Sequence, residues 1–489
     1  MGKATGFMEF NRKNCNRENP LSRVNHWNEF EVPLTEEERR EQGARCMDCG
    51  VPFCQSGVIL NGMATGCPLH NLIPEWNNLI YLDKWELGLE RLLKTSNFPE
   101  FTSRVCPALC ENACTCGLNG ESVTVKANEK YLIEKGFTEG KIKANPPKIR
   151  TGKKVAIIGS GPSGLASADI LNKLGHNVTV YEREDYVGGL MMYGIPNMKL
   201  EKNIIERRVN ILKEEGVIFK TCINVGIDVR YSKLQKEYDA IIVAIGASKP
   251  RDLKVPGREL NGIHFAVRYL TNNTKRIVGS QFNKGSDILA TNKDVIVIGG
   301  GDTGTDCVGT AIRQGAKSVN QFEIMGKPLK LRGKNNSWPE YARVLKIDYG
   351  QEEYIEKFGH DPRRYLTSVK EFYGDENGNV KSLKTVDVQL IKGEDGRMNL
   401  KEVENSEKIW NADLVLIAMG FTGVEDYIVN DLGVDLNKRG SIHANDINYK
   451  TSKEKVFVAG DARRGPSLVV WGITEGRKVA LAVDNYLMK

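Results

Sequence analysis

The chain has 489 residues, 40% of them apolar, and a formal net charge of +7 from 69 basic and 62 acidic side chains. The length predicts about three domains; no stretch approaches the roughly 18 apolar residues that span a bilayer, and the N-terminus has no apolar signal core, so we expect a soluble cytoplasmic protein without membrane contact. The basic residues are spread out rather than clustered with aromatic ones, which argues against nucleic-acid binding and favours an acidic protein as partner.

Residues 1–150 form the first predicted unit, which is mainly helical and holds most of the cysteines. Thr35 followed by Glu38 predicts a capping box at a helix start, and Asn145-Pro146-Pro147-Lys148 predicts a linker. Clustered thiols in a long chain without a secretory signal indicate metal binding rather than disulfides. Two tight groups contain the cysteines Cys46, Cys49, Cys54, Cys67, Cys106, Cys110, Cys114 and Cys116.

The spacing of these cysteines favours iron–sulfur clusters. Thiolates two to four residues apart can wrap one cluster, and in ferredoxin-like sequences a cysteine followed by proline often serves a second cluster. Pairs of the form C-x2-C also build structural zinc sites, but zinc is redox-inert and the rest of the chain carries redox-cofactor motifs. The remaining Cys15, Cys222 and Cys307 have no motif partners, so we expect ordinary thiols.

A strand–glycine-loop–helix pattern begins at Val155. An apolar strand, 155–158, leads into Gly159-Ser160-Gly161-Pro162-Ser163-Gly164, a helical stretch and a second strand that ends at Glu182. The first glycine makes a tight turn, the second lets the backbone approach a pyrophosphate, and the third lets the helix pack on the strand. A carboxylate at the end of the second strand can accept hydrogen bonds from ribose hydroxyls, so the whole series predicts a dinucleotide-binding unit.

The same series recurs later in the chain. A strand at 295–298 leads into Gly299-Gly300-Gly301-Asp302-Thr303-Gly304, a helix and a strand that ends at Glu323. This repeat of a βαβ unit predicts a second dinucleotide site.

Further strands are predicted to close these units. The runs 238–246 and 412–420 each end at a glycine, where the chain can cross into a neighbouring domain. The alternating pattern between 366 and 412 predicts antiparallel hairpins, with turns at Asn377-Gly378 and Asp395-Gly396. A last strand runs into Gly460-Asp461, and a helix follows from about Ser467.

Two such units with a returning Gly-Asp segment resemble the two-dinucleotide-binding flavoproteins. The resemblance implies an α/β fold with two Rossmann-like domains, preceded here by a mainly α-helical iron–sulfur domain. The first unit would hold FAD, with Asp461 at its ribityl–phosphate part, and the second would hold NADH or NADPH. The implied segments are the iron–sulfur domain 1–150, the FAD domain 151–255, the NAD(P)H domain 256–424 and the returning FAD segment 425–489.

Several longer segments resemble the glutamate synthase beta (small) subunit family, from about residue 20 to the C-terminus. The wider family includes the N-terminal part of dihydropyrimidine dehydrogenase and the large subunit of an electron-bifurcating transhydrogenase. The segments are Cys46-Met47-Asp48-Cys49-Gly50, 66–76, 99–102, Gly188-Gly189-Leu190-Met191-Met192-Tyr193-Gly194-Ile195-Pro196, Trp338-Pro339-Glu340-Tyr341, Tyr349-Gly350-Gln351-Glu352-Glu353 and 463–471.

This resemblance implies a function in electron transfer. Electrons from NADPH or NADH would pass through FAD and two 4Fe–4S clusters to FMN on a large (alpha) subunit, which makes glutamate from glutamine and 2-oxoglutarate; the chain would act in a hetero-oligomer. The chain begins Met1-Gly2 and shows neither an N-terminal cysteine nucleophile nor an FMN barrel, so we expect no glutamate synthesis by the chain alone. The alternatives are another acceptor such as ferredoxin, or a non-catalytic assembly scaffold, which would have degraded glycine motifs.

The resemblance also assigns residues by position. One cluster would be held by Cys46, Cys49, Cys54 and Cys114. The other would be held by Cys67, Cys106 and Cys110 with Glu129 as fourth ligand, for which Cys116 is the competing candidate. FAD would contact Gly159, Gly161, Pro162, Ser163, Gly164, Glu182, Gly189, Leu190, Gly460, Asp461, Ser467 and Leu468. NAD(P)H would contact Gly299, Gly301, Asp302, Thr303, Gly304 and Glu323.

The choice between NADH and NADPH is left open by the sequence. The carboxylate of Glu323 favours the free 2′-hydroxyl of NADH, whereas bacterial relatives are often NADPH-dependent. Lys327 and Lys330 lie just beyond and could bind a 2′-phosphate if their loop folds back. Arg313, on the preceding helix, is expected to be a solvated surface charge.

Overall fold

The computed structural model describes residues 2–280, 287–393 and 398–489. The predicted turn at Asp395-Gly396 lies outside these residues.

The N-terminal part is mainly helical, as predicted. Thr35 caps its third helix in a capping box: Thr35 Oγ1 accepts from the Glu38 amide at 3.2 Å, and Glu38 Oε2 accepts from the Thr35 amide at 2.9 Å. Two small antiparallel pairs accompany the helices, β1 Asn16–Arg17 with β2 Glu31–Val32 and β3 Val58–Leu60 with β4 Met63–Thr65. The helices are α1 Gly6–Glu9, α2 Pro20–Arg23, α3 Glu36–Ala44, α4 Ile73–Tyr81, α5 Trp85–Thr95, α6 Pro99–Val105, α7 Leu109–Asn112 and α8 Val125–Thr138.

The first glycine motif lies in an alternating α/β region. Three of its strands, β5, β6 and β8, are short apolar runs buried on both faces, as parallel strands between helix layers are. In chain order the elements are β5 Lys154–Ile158, α9 Pro162–Lys173, β6 Asn177–Tyr181, α10 Leu190–Tyr193, α11 Lys202–Glu214, β7 Ile218–Lys220, α12 Tyr231–Glu237, β8 Ala240–Val243 and β9 Lys249–Pro250.

The second glycine motif lies in a similar region that carries an additional antiparallel sheet. In chain order the elements are β10 Ile263–Phe265, α13 Ala266–Ile277, β11 Asp294–Ile298, α14 Asp302–Arg313, β12 Ser318–Glu323, α15 Tyr349–Phe358, β13 Arg363–Tyr365, β14 Thr367–Gly374, β15 Val380–Lys392, β16 Met398–Glu402, β17 Lys408–Asn411 and β18 Leu414–Ile417. The chain then continues through β19 Phe421–Gly423, α16 Asp426–Leu432, β20 Val456–Val458, α17 Asp461–Arg464 and α18 Val469–Leu487.

Two five-stranded parallel sheets result from this order. The first has the order β20-β8-β5-β6-β7 and the second has the order β10-β18-β11-β12-β13. The chain therefore leaves the first sheet, builds the second and returns to add β20. It crosses between them just after Gly246 and Gly420, where β9 pairs with β19 in antiparallel fashion.

The predicted hairpins are also present. Strands β14, β15, β16 and β17 form an antiparallel sheet beside the second parallel sheet, and Asn377-Gly378 lies in the turn between β14 and β15. In the described ranges, no helix has the length and apolar character needed to cross a membrane.

Candidate dinucleotide and iron–sulfur sites

The first glycine loop connects β5 to α9. Gly159 has φ +99°, and a Cβ on Gly164 would lie 2.0 Å from the carbonyl oxygen of Gly159, so the helix packs too closely for any other residue. A Cβ on Gly161 would meet no atom within 4 Å. The space beside Gly161 and the first turn of α9, which Pro162 opens, is what an approaching pyrophosphate requires.

Glu182 lies beside this loop, directly after β6. Its Oε2 accepts from the Ser160 amide at 3.1 Å and from the Ser160 hydroxyl, while Oε1 accepts from the Glu184 amide at 2.9 Å. The carboxylate is thus fixed at the carboxyl edge of the parallel sheet, the position predicted for the ribose of FAD.

Segments distant in sequence meet at the same loop. A Cβ on Gly189, which precedes Leu190 and α10, would lie 2.9 Å from the Cα of Gly161. A Cβ on Gly460 would lie 2.9 Å from the Cβ of Ser163. Within the described part of the chain, the buried Ser163 Oγ has no hydrogen-bond partner, so this junction offers a free donor to a ligand.

The returning segment places Asp461 next to α18. The Ser467 hydroxyl donates to Asp461 Oδ1 at 2.5 Å, and burial raises the pKa of Asp461 to about 6. Leu468 precedes the first residue of α18, whose N-terminus therefore lies near these groups. The residues predicted for FAD are brought together, and their open glycine face, free hydroxyl and helix N-termini fit that cofactor.

The second glycine loop repeats the geometry of the first. Gly299 has φ +129°, a Cβ on Gly304 would lie 2.2 Å from the carbonyl oxygen of Gly299, and a Cβ on Gly301 would meet no atom within 4 Å. Helix α14 begins at Asp302, with Thr303 in its first turn. A cavity at this edge is bordered by Gly300, Asp302, Thr305, Glu323, Met325, Gly326, Pro328, Val344, Leu345, Lys346, Ile347, Asp348, Gln351, Arg363 and Tyr365.

The charges in this cavity bear on the choice of dinucleotide. Glu323 Oε1 accepts from the Met325 amide at 2.8 Å, as Glu182 does from Glu184. Arg363 is neutralised by Asp361, to which its Nε and Nη2 donate at 2.9 and 2.7 Å, and its Nη1 donates to the Lys346 carbonyl at 2.8 Å. The cavity therefore presents the fixed carboxylate of Glu323, an arginine whose charge is already paired, and Lys346, whose ammonium donates to the Tyr341 hydroxyl.

Three basic residues considered from the sequence do not themselves border this cavity. Lys327 and Lys330 are exposed, and Lys327 lies between the bordering residues Gly326 and Pro328. The expectation for Arg313 was wrong: its side chain is buried, its Nη1 lies 2.6 Å from Glu353 Oε2, and its Nε donates to the His26 carbonyl at 3.0 Å. The prediction failed because it considered only the position of Arg313 on its own helix, whereas the burial of Arg313 depends on Glu353 from another helix.

The cysteines predicted for the second cluster, which form the second cysteine group, surround a cavity in the N-terminal part. Cys67, Cys106, Cys110 and Glu129 all border it. Glu129 Oε1 accepts from the Thr102 hydroxyl at 2.6 Å, and burial raises the pKa of Glu129 to about 7. Burial likewise raises the pKa of Cys67 to about 12 and that of Cys106 to about 11. Buried thiols and a buried carboxyl group around one cavity suit a cationic iron–sulfur core, which stabilises their anionic forms.

The first cysteine group, which consists of Cys46, Cys49, Cys54 and Cys114, lies next to the second. Burial raises the pKa of Cys54, and charge repulsion from Cys46, Cys114, Cys49 and Cys67 adds to this effect, so Cys54 lies among cysteines of both groups. The Cys67 amide donates to the Cys54 carbonyl at 2.7 Å, which joins the two groups through the backbone.

Cys116 belongs with the first group. Its Sγ lies 3.5 Å from the Arg45 carbonyl oxygen, and a hydrogen bond from Cys116 lowers the pKa of Cys114 below the usual thiol value. Cys116 does not border the cavity that Glu129 faces. Among the residues that the structure describes, no three His, Cys, Asp or Glu side chains converge as they would on a single metal ion.

Some neighbours of these sites were not found from the sequence. Thr102 orients Glu129, Val470 of α18 borders the cysteine cavity, and Asp361 neutralises Arg363. Thr102 and Val470 act across long sequence separations, and their signal in the sequence was that 99–102 and 463–471 match the glutamate synthase small-subunit family. Asp361 lies only two residues before Arg363 but in no matching segment.

Comparison with known proteins agrees with this arrangement. Residues 153–476 match the pyridine nucleotide-disulphide oxidoreductase family, and residues 23–141 match the dihydropyrimidine dehydrogenase domain II, 4Fe-4S cluster, family. The structure of Mycobacterium tuberculosis FprA in complex with NADPH aligns with a TM-score of 0.53 at 20% identity, over 69% of this chain and 85% of that one. The predicted fold class is thereby confirmed.

Full-length relatives identify the family. The glutamate synthase (NADPH) small chain of Bacillus subtilis is 51% identical over 488 residues, with 100% of this chain and 99% of that protein covered. The glutamate synthase (NADH) of Schizosaccharomyces pombe is 48% identical over 486 residues. The match covers 99% of this chain and 23% of the Schizosaccharomyces pombe protein. The chain belongs to the glutamate synthase small chain family, oxidoreductases with an FAD- and NAD(P)H-binding fold and an N-terminal 4Fe-4S domain.

Proposed function

We propose that the chain oxidises NADH and delivers the electrons to the large chain of a glutamate synthase. The observation that carries this proposal is the position of Val470, which borders the cavity of the second cysteine group and lies two residues after Leu468 at the predicted flavin site. One helix end thus touches both predicted redox sites. When bound, FAD would accept a hydride and the clusters would carry single electrons onward.

The residues of the chain hold and orient these groups. The two glycine loops bind the pyrophosphates, Glu182 and Glu323 accept from ribose hydroxyls, and Asp461 with Ser467 fixes the middle of FAD. Functional boundaries at about residues 150, 255 and 424 follow from this division.

Two 4Fe–4S clusters are proposed for the N-terminal part. Glu129 is the better fourth ligand of the second cluster, because it borders the cavity of Cys67 and Cys106 whereas Cys116 contacts Cys114. Cys49, Cys106 and Cys110 are all half-buried, so cysteine burial does not rank the two clusters; beside the first cluster, however, the side chain of Val51 is 72% exposed. We therefore place the exit toward the large chain there, in a cytoplasmic hetero-oligomer.

NADH is the proposed donor. Glu323 is fixed where the adenosine ribose would lie and repels a 2′-phosphate. The charge of Arg363 is paired with that of Asp361, and the ammonium of Lys346 is turned to the Tyr341 hydroxyl. The relatives do not decide this point, since the Bacillus subtilis protein is named for NADPH and the Schizosaccharomyces pombe protein for NADH at similar identities.

Steady-state kinetics on the purified chain test the proposal. With an artificial dye as acceptor, we expect a kcat/KM for NADH that exceeds that for NADPH by about tenfold, equivalent to about 1.4 kcal/mol. Glu323→Gln should reduce this preference, and the exposed Glu356→Gln on α15 serves as the matched control. A preference for NADPH in the wild type would refute the choice of donor.

A second experiment tests whether glutamate synthesis requires the large chain. Supplied with NADH, glutamine and 2-oxoglutarate, the chain alone should form no glutamate, and addition of the large chain should restore synthesis. Reduction of ferredoxin in place of the large chain, or glutamate formation by the single chain, would contradict the proposed function.

A further inference from the structure

One long loop of the second α/β region extends into the cysteine-rich part. This bridging loop, residues 327–347, leaves the end of β12 and returns to α15. Its two arms are joined where the Leu345 amide donates to the Leu329 carbonyl at 2.8 Å. On the inner side, Pro328 and the segment 344–347 form one wall of the predicted dinucleotide cavity, opposite Gly300 and Asp302.

The tip of the bridging loop is held by the N-terminal part. Asn61, in the turn between β3 and β4, donates through Nδ2 to Glu340 Oε1 at 2.5 Å. Asn112 accepts from the Ala342 amide at 3.1 Å through Oδ1, and its carbonyl accepts from Arg332 Nη2 at 3.3 Å.

An aromatic contact lies between these polar ones. The ring of Phe53, the residue before Cys54, packs edge-on against Trp338 with centroids 4.9 Å apart. Asn112 itself lies between Cys110 and Cys114. The tip is therefore seated among segments that supply cysteines to both predicted clusters.

Hydrogen bonds within the tip of the loop hold it together, so the position of the tip fixes the position of the cavity wall. Asn336 is buried; its Nδ2 donates to Glu340 Oε2 at 3.1 Å and its Oδ1 accepts from the Arg343 amide at 2.7 Å. Arg332 Nη1 donates to the Glu340 carbonyl at 2.7 Å. Arg343 directly precedes the wall residues 344–347, so the clamped tip ends where the wall begins.

We propose that Asn61 and Asn112, side chains of the iron–sulfur domain, are positioning residues for the dinucleotide cavity of the other domain. They touch neither the dinucleotide nor a cluster; they hold the bridging loop so that its wall is formed before the ligand arrives. This inference rests on the proposed function only in taking the cavity as the dinucleotide site. A wall that is ordered in advance raises the affinity for the ligand, because a loose loop would have to be ordered when the ligand binds.

The test is the affinity of the full, cofactor-loaded chain for NAD⁺, measured by calorimetry without turnover. Asn61→Ala and Asn112→Ala should each raise the dissociation constant by about three- to tenfold, the range expected for one lost hydrogen bond. The KM for NADH should rise with it while kcat stays within about twofold, and a general loss of structure would not give that split. Asn119→Ala, an exposed position in the same cysteine segment, is the matched control and should bind as the wild type does.

Iron content and flavin absorbance are measured on every variant. If Asn112→Ala loses iron, the Asn61 variant decides the outcome, because Asn61 lies in the turn between β3 and β4 and not, as Asn112 does, within two residues of a cysteine. Unchanged dissociation constants in iron-replete variants, or an equal loss in Asn119→Ala, would overturn the inference. Failure of the proposed function would appear differently, as an inability of the wild type to pass electrons from NADH despite binding NAD⁺.

Discussion

Lys202, at the start of α11, is a buried lysine whose ammonium group contacts main-chain carbonyls. Its Nζ donates to the Met191 carbonyl at 2.9 Å and to the Ile195 carbonyl at 2.7 Å. Burial lowers the pKa of Lys202 to about 7, and the more distant charges of Asp306 and Glu29 only partly oppose this shift. Its folded pKa thus lies below the unfolded value near 10.5.

The sign of the pH effect follows from proton counting. Between about pH 7 and pH 10 the unfolded chain binds a proton at Lys202 that the folded chain lacks, so this residue makes stability rise with pH in that window. We compare the wild type with Lys202→Met. The unfolding free energy of the wild type minus that of the variant should increase by up to about 1.4 kcal/mol for each pH unit. Urea unfolding of both proteins at pH 7, 8 and 9 measures the gain; parallel curves would contradict it.

Single residues differ in how far the sequence determines their environment. The capping box of Thr35 and Glu38 was predictable, because both partners lie within one helical turn. The burial of Arg313 was not, because it depends on Glu353 from α15 and on main-chain carbonyls of residues 23 and 26. The same distance limit hid the hydrogen bond of Thr102 to Glu129. The pairing of Asp361 with Arg363, only two residues apart, was missed for another reason: neither residue lies in a motif.

At the scale of elements, a buried ion cluster joins α2 to α14 and α15. The Arg23 and Glu353 side chains are both fully buried, with Arg23 Nε 2.7 Å from Glu353 Oε1. Arg23 Nη2 also lies 2.7 Å from Glu352 Oε2, and Arg313 shares Glu353. Removing the charge of Glu353 would leave two buried arginines with only the half-exposed Glu352.

We therefore expect Glu353→Gln to destabilise the protein by about 3 kcal/mol, as loss of one partner in a buried pair does. The effect should concentrate where α2 docks, so hydrogen exchange should quicken in residues 16–32 more than in β5 and β6. Thermal unfolding and exchange mass spectrometry measure the two parts. Glu356→Gln, on the exposed side of α15, should behave as the wild type, and equal exchange in both variants would count against the docking role.

The sequence predicted most elements but not the bridging loop. Apolar runs such as 155–158 and 295–298 must be buried on both faces, so their place in parallel sheets follows from composition alone. The segment 327–347 has no periodicity, since its role is to contact Asn61 and Asn112 through polar atoms. Family resemblance marked Trp338-Pro339-Glu340-Tyr341 but could not show which surface it meets.

For the whole molecule, the N-terminal part packs against both α/β regions. It meets the first through Arg208 and Glu100, whose side chains are buried with Nε and Oε1 2.6 Å apart, and through Arg477, which donates to Asn97 Oδ1 at 2.6 Å. It meets the second through Glu353 and the bridging loop. The predicted carriers are thereby held in a fixed order, with the Glu129 cavity against α18 and the first cysteine group beyond it.

This order predicts separable losses of metal. If two 4Fe–4S clusters form, the loaded chain holds about eight irons. Cys46→Ser should retain about four irons and all of the FAD, because Cys46 lies outside the cavity that Glu129 borders and every predicted flavin contact follows residue 150. Glu129→Ala should remove the other cluster, next to α18, and so should slow electron delivery to the large chain while NADH still reduces the flavin.

Anaerobic iron and sulfide analysis, flavin absorbance and electron paramagnetic resonance measure these losses. Cys222→Ser, which changes an exposed thiol with φ +56° far from both groups, is the control and should keep the full iron content. Zinc in place of iron and sulfide would refute the assignment of the clusters. Loss of all iron in Cys46→Ser would show that the two cysteine groups, joined by the Cys67–Cys54 hydrogen bond, assemble as one unit and not as two.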